Sequence, residues 1–247
     1  MPSQEPGYGD DLSYIHDVGF GSFAQHAARM FLAELRGRKL REGRIVELGC
    51  GSGITSAAFA KAGYEVLGYD ISAAMVRLAR KRVPAAEFQV ASFLAADLPP
   101  CRAVTAIGEV LNYQFDRQNT QAQRSRLFRR IYRALHPGGL FLFDGAEPGR
   151  NGGVGRRRYG IEGTGWACLV DAEEDERRGI LTRNITTFRK VGPLFRREFE
   201  VHRLRLFDRR QLLAELRELG FRVRTLTGYG EMTFPPGYVG FLCRKEA

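Results

Sequence analysis

Between residues 43 and 146 five short apolar runs take turns with helical segments, and few folds accept that order. The runs lie at 44–48, 64–69, 87–92, 103–110 and 139–146, with helical segments at 54–62, 73–82 and 119–135. Strand and helix in alternation predict a parallel sheet with crossover helices on its faces. Ser72 is placed to cap the middle helix, which must stop before Pro84. Ahead of this block Phe23, Ala27, Met30, Phe31 and Leu35 share one face, predicting an amphipathic helix over 23–36. Residues 1–12 read as a loose tail.

The pattern changes after residue 146. From Trp166 to Phe207 there is no helical period; three β-rich runs stand at 166–175, 180–190 and 194–207, separated by Arg178-Gly179 and Val191-Gly192-Pro193. They predict a small antiparallel sheet inserted after the fifth parallel strand. Asp208 to Gln211 opens a helix at 209–219 that Gly220 ends, and late strands follow at 221–229 and 237–244. With 44% hydrophobic residues in 247, the chain can bury one large core, so the expectation is one domain with an insert.

No apolar stretch approaches the roughly 20 residues that span a bilayer, and the N-terminus lacks a signal-peptide core. Cys50, Cys101, Cys168 and Cys243 are scattered, with no CxxC. The expectation is a cytoplasmic protein with reduced thiols, no metal site and no membrane contact. The net charge of +10 raises nucleic acid as a partner. Arg124 to Arg133, however, alternate with Leu127, Phe128, Ile131 and Tyr132 at helical spacing, as a solvated helix face does. Arg156-Arg157-Arg158 reads as loop and is the better anion contact, yet nucleic acid stays the disfavoured reading.

The first apolar run ends in Glu47-Leu48-Gly49-Cys50-Gly51-Ser52-Gly53 and opens a helix. Three glycines on alternate positions let a ligand approach the backbone, and the helix N-terminus offers free N–H groups. Two ligand classes fit. A dinucleotide fingerprint G-x-G-x-x-G wants glycine at 54, where Ile54 stands; the spacing E-x-G-x-G-x-G is met in full. Asp70 ends the second run, where an acidic residue can accept hydrogen bonds from ribose hydroxyls in either class.

Further on come Ser92-Phe93, then Gly108-Glu109-Val110-Leu111-Asn112-Tyr113, then Leu135-His136-Pro137-Gly138-Gly139 before LFLFD. In this order the segments resemble the class I S-adenosylmethionine-dependent methyltransferases over 43–146, and the late helix and strands agree with that fold's reversed final strand. The opening YIHDVGFGSFAQHA and the insert containing EVHRLRLF are similar to bacterial small-molecule methyltransferases, including amino-sugar and glycine N-methyltransferases. The resemblance implies an α/β, Rossmann-like, doubly wound and mostly parallel seven-stranded sheet with a reversed last strand, plus the inserted antiparallel sheet. It divides the chain into a tail and lid helix (1–42), a cofactor-binding core (43–146), a substrate-capping insert (147–207) and a C-terminal completion of the sheet (208–247).

The same resemblance implies S-adenosylmethionine as cofactor, leaving S-adenosylhomocysteine. Glu47 would orient the glycine loop; Gly49, Gly51 and Gly53 would contact the methionine portion; Asp70 would hold the ribose. Ile71 and Phe93 would flank the adenine, with Ser92 at its edge, and Gly108 and Glu109 would face the ammonium and the reaction cavity. Tyr14, Cys50 and Met75 complete the implied cofactor set. The implied activity is methyl transfer to oxygen or nitrogen of a small metabolite, with RNA methylation and non-catalytic cofactor binding as alternatives.

Methyl transfer from a sulfonium needs alignment and exclusion of water, and a base only when the acceptor arrives protonated. The catalytic candidates are His16, Glu109, Tyr113 and His202. Glu200 and His202 share a face of an extended run, as do Leu204 and Leu206, so the pair can equally mark where a buried face meets solvent. Tyr14 and His16 precede the first expected helix, as part of a lid or a plain strap. Asn112-Tyr113 lacks the prolines of the N/D-P-P-Y motif of nucleobase amino methylation and is left a pocket-lining role. Arg183 and Arg205 can bind an anion, but nothing in the sequence selects them. His136 and His26 read as structural. The insert is also a candidate homodimer contact.

Overall fold

A computed structural model of the chain describes residues 7–246. The parallel block is β1 (Arg44–Leu48), α3 (Ile54–Lys61), β2 (Glu65–Asp70), α4 (Ala73–Arg82), β3 (Glu87–Val90), β4 (Cys101–Ala106), α5 (Gln121–Ala134) and β5 (Leu135–Ala146). After the insert come α6 (Arg209–Glu218), β10 (Phe221–Leu226), a short hairpin of β11 (Gly228–Tyr229) and β12 (Met232–Thr233), and β13 (Tyr238–Lys245). The main sheet runs β10-β13-β5-β4-β1-β2-β3, and β13 is antiparallel to both its neighbours. The expected seven strands and reversed last strand are present.

Central strands buried on both faces read as continuous apolar runs, and their side chains alternate between two cores. Phe141 and Phe143 of β5 face one core with Leu127, Phe128 and Ile131 of α5 and Leu212 and Leu216 of α6. Leu140 and Leu142 face the other with α2 (Gly21–Gly37), through Phe31 and Leu35, and with Phe59 of α3. The Phe141, Phe143 and Phe241 rings stack at 4.6 and 4.7 Å, and burying each fully contributes about 1.5–3 kcal/mol. Ser72 caps α4 by accepting the Met75 N–H at 3.1 Å, and Asp208 caps α6 through the Arg210 and Gln211 N–H groups.

Several expectations need correction. Residues 1–6 of the expected tail lie outside the described residues, but from Gly7 the chain is built into the molecule. Tyr8 is packed among Tyr113, Phe115 and His202, and α1 (Asp10–Gly19) follows directly. The helix expected at 23–36 is α2 (Gly21–Gly37), and α1 is an additional helix ahead of it, where tail and strap were expected. β5 begins at Leu135, ahead of the expected run at 139–146, and a register shift against β4 falls in this first part. The insert has four strands: β6 (Arg156–Gly163), β7 (Trp166–Asp175), β8 (Ile180–Val191) and β9 (Leu194–Arg205). Arg156 to Arg158 is therefore strand, not loop, its N–H and C=O groups met by β7.

One face of the four-stranded sheet packs on α1, where Leu12 and Ile15 meet Trp166, Val170, Ile185 and Leu204. Asp11, fully buried, ties the two together through Arg189 at 3.1 Å and Arg196 at 2.5 Å. No helix among the described residues is long and apolar enough to cross a membrane.

Candidate active site

In an open α/β sheet a ligand crevice forms beyond the strand carboxyl ends where the strand order reverses. Here that point lies between β1 and β4, whose crossover helices run on opposite faces. A cavity of about 530 Å³ opens there, floored by the glycine loop and roofed by the inner face of β6–β9. Of the expected residues, His16, Glu47, Gly49, Cys50, Gly51, Asp70, Ile71, Met75, Ser92, Phe93, Gly108, Glu109, Tyr113 and His202 line it.

The three glycines all have positive φ, but they are glycine for different reasons. A Cβ at Gly49 would meet Val110 at 2.5 Å, and one at Gly53 would meet the α4 backbone at Ala79 at 3.0 Å. Gly51 alone has open space where a side chain would stand, and so does Gly108 across the cavity. The backbone is thus bare where a ligand would pass, while Gly53 does not line the cavity at all. Asp70 holds this floor in place: Oδ2 accepts the Gly51 N–H at 2.9 Å and Oδ1 the Ser72 N–H at 2.8 Å. Burial raises its carboxyl to about 6, against those hydrogen bonds. Glu47 lies beneath, accepting from Thr55 at 2.5 Å and from Ser56, and burial raises it to about 7. Two carboxylates with lone pairs to spare beside a bare backbone suit a ribose and an aminoalkyl cation. The residues present therefore fit an adenosyl sulfonium.

On the far side Glu109 sits in left-handed backbone at φ +61°, unusual for a residue with a side chain. Asp144 pins that backbone: it accepts the Gly108 and Glu109 N–H groups at 2.9 and 2.7 Å, and the Tyr229 and Tyr238 hydroxyls at 2.6 Å. Burial raises Asp144 to about 6 in spite of these donors. Both Glu109 oxygens are taken by Arg183, at 2.7 and 3.1 Å, and Oε1 also by Arg150 at 2.6 Å. Burial would push Glu109 up, but the two guanidinium groups outweigh it and hold the carboxyl at about 2. Glu109 is thus an anchor for two arginines and not the proton-moving catalytic group expected of it.

Above it, Tyr113 shares a 2.8 Å hydrogen bond with Tyr8, and burial raises both phenols. His16 lies between Tyr8 and Phe20, and burial lowers it to about 4. His202 of β9 is cross-strand neighbour to Arg183 of β8. Its Nε2 is 2.8 Å from Glu200, whose other oxygen accepts the Gly9 N–H at 3.0 Å.

Other candidates fall elsewhere. Tyr14 does not line the cavity; α1 turns it toward β8, where Arg189 stacks on its ring at 3.8 Å. Asn112 is no pocket wall either. Its amide bridges the Ala146 backbone and the Arg205 carbonyl, joining the β4 loop to β5 and β9. Arg205 points from the face opposite His202 and is exposed, so of the two arginines only Arg183 reaches the site. His136 and His26 are exposed or at the edge, away from the cavity. Sequence reasoning missed Tyr8, Arg150 and Asp116, which accepts the Ser92 hydroxyl at 2.5 Å. Arg150 and Tyr8 carry no local signal; Asp144, the acidic end of LFLFD, had one in its place at the carboxyl end of β5. Among the described residues no cluster of three or more His, Cys, Asp or Glu could hold a metal ion.

Fold and cavity together define a nucleotide-type site on a reversed-last-strand α/β sheet. Residues 45–139 match the family model described as a methyltransferase domain. YqeM of Bacillus subtilis (strain 168) is 33% identical over 110 residues, 42% of this chain and 42% of that protein. The trans-aconitate 2-methyltransferase of Paracidovorax citrulli (strain AAC00-1) is 36% identical over 100 residues, 39% of this chain and 36% of the relative. The match thus spans less than half of those relatives' length. The sugar N-methyltransferase KedS8 of Streptoalloteichus sp. superposes with a TM-score of 0.75 over 100% of this chain and 99% of its own, at 20% identity. Residues 45–139 thus match a methyltransferase domain, and the chain as a whole shares the fold of a sugar N-methyltransferase.

Proposed function

We propose that the chain binds S-adenosylmethionine along the glycine loop and transfers its methyl group to oxygen or nitrogen of a small metabolite. The observation that carries this reading is one continuous cavity, from Gly51 and Asp70 at one end to Arg183 and His202 at the other. It extends past the glycine loop to side chains of the inserted sheet, which favours turnover over cofactor storage. The roles follow the elements: Asp70 takes the ribose hydroxyls, Ile71 and Phe93 flank the base, and Glu47 steadies the loop. The bound sulfonium supplies an activated methyl group. The protein supplies alignment and exclusion of water, the second through the Gly7–Gly9 strap, α1 and the inserted sheet. The names of the two relatives, one acting on trans-aconitate and one on a sugar nitrogen, support a small acceptor.

Calorimetric titration of protein stripped of ligand tests this. Expected are binding of S-adenosylmethionine and S-adenosylhomocysteine, no binding of NADH, and a loss of tenfold to a hundredfold in Asp70→Ala, since hydrogen bonds to a charged group contribute about 1.5–3 kcal/mol. Failure of both sulfur ligands to bind would overturn the assignment.

A further inference from the structure

His202 Nδ1 is buried and has no hydrogen-bond partner among the described residues, in a ring that lines the cavity. A buried polar atom left unpaired in a native fold calls for an explanation. We propose that His202 is the general base of the methyl transfer, that Glu200 is its positioning residue, and that the acceptor is therefore an alcohol, phenol or amine that arrives protonated. This rests on the methyl-transfer reading above.

The geometry supplies what a base needs. A carboxylate only accepts, so Glu200 Oε2, 2.8 Å from Nε2, keeps the ring proton on Nε2 and leaves the lone pair of the neutral imidazole on Nδ1. Glu200 is itself fixed by the Gly9 N–H. Tyr8 and Phe115, each with its ring 4.8 Å away, and Tyr113 at 5.7 Å hold the plane of the imidazole. The groups that face it are Glu200 on β9, Arg183 on β8, Tyr8 on the strap, Tyr113 after β4 and His16 on α1. The remaining candidates are unsuited: Glu109 has both oxygens on arginines, and the Tyr8 and Tyr113 phenols are raised by burial. His16, whose Nδ1 is likewise buried and unpartnered among the described residues, has no carboxylate among them hydrogen-bonded to its ring to set the tautomer as Glu200 does for His202. Asp70 and Glu47 serve the glycine loop at the other end.

In the step, the O–H or N–H bond of the acceptor breaks and its proton passes to Nδ1. The electron pair left behind forms the new bond to the methyl carbon, and the carbon–sulfur bond breaks with its electrons staying on sulfur. A carboxylate acceptor already carries the attacking lone pair and would give His202 nothing to do.

Two measurements decide it. In ¹⁵N NMR of histidine-labelled protein, with the His202 signals assigned by their loss in His202→Asn, the proton should sit on Nε2 and the lone pair on Nδ1. A proton on Nδ1 in the neutral ring overturns the proposal. Separately, methyl-labelled S-adenosylmethionine is incubated with a panel of small alcohols, phenols, amines and carboxylic acids. Label should enter the first three classes. His202→Asn should lose roughly 100-fold or more in kcat, within the range typical of a general base. KM for the methyl donor should stay unchanged, and the deficit should shrink as rising pH strips the acceptor's own proton. Glu200→Gln should fall between the two. Donor affinity by calorimetry certifies that each variant is folded. Label confined to carboxylic acids, or a His202→Asn enzyme with wild-type kcat and pH profile, overturns the base. If the donor binds but no panel member is labelled, the NMR result alone decides. If the donor does not bind, the methyl-transfer reading fails, and the base with it.

Discussion

Glu109 shows how one side chain can be read correctly in place and wrongly in role. Its position after β4 puts it in the cavity, but two arginines from the insert occupy its carboxylate. Removing one partner of such a buried arrangement leaves charge uncompensated, so Glu109→Gln should destabilise the protein by about 3 kcal/mol or more in denaturant unfolding. Asp70 carries a pH dependence. Its carboxyl is raised by burial to about 6 from an ordinary 3.8, so below about 6 it holds a proton and loses the charge that receives a ribose. The affinity for S-adenosylmethionine should therefore weaken as pH drops from 7 to 5. The same shift acts on the ligand-free fold with the opposite sense: between about 4 and 6 the folded state binds the proton more tightly, so this group's contribution favours folding at acid pH and is lost as pH rises through 6. Titrations at pH 5, 6 and 7 against Asp70→Ala check the assignment: the variant should lose the part of the pH dependence that Asp70 carries and keep only what Glu47, raised by burial to about 7, contributes.

At the level of elements, Ser72 does two jobs from one hydroxyl. It accepts the Met75 N–H to start α4 and donates to the Tyr8 carbonyl at 2.6 Å, tying the strap to the end of β2 beside Asp70. Ser72→Ala should cost about 1–2 kcal/mol from the lost cap. It should also raise the rate of proteolysis near Gly7–Gly9 and speed cofactor dissociation, which stopped-flow displacement would measure. Helices α4 and α5 were legible because their caps and apolar spacing are local. Helix α1 was not: Gly9 at its N-cap makes no side-chain cap, and Leu12 and Ile15 pack on the inserted sheet instead of the main one. Strand β6 escaped for a related reason, since every residue in it is exposed and no alternation betrays a buried face.

For the whole molecule the question is where the +10 goes. Arg156 and Arg158 lie on the outward face of the inserted sheet, both paired with Asp171, whose carboxyl they hold at about 2. Register puts them on the opposite face from Arg183 and His202. An electrostatic grip on RNA needs several free cations converging on the cavity mouth. A generic RNA oligonucleotide should accordingly show little binding at 150 mM salt, and Arg156→Ala with Arg158→Ala should not change it; a gel-shift series over salt would show otherwise if the arginines formed a track.

What the sequence determined by itself was the local and the periodic. The strand–glycine loop–helix, Asp70 at the end of β2, the caps at Ser72 and Asp208 and the alternation that builds the parallel sheet all follow from neighbours a few residues apart. Tertiary structure decided which of those residues do what. Gly49 and Gly53 are filled by Val110 and Ala79, leaving Gly51 to face the ligand. Tyr8 meets Tyr113 across 105 positions, and Arg183 reaches Glu109 across 74. Such contacts depend on how layers stack, and stacking is set by the sum of buried surfaces over the whole chain. No window of sequence short enough to read by pattern contains that sum.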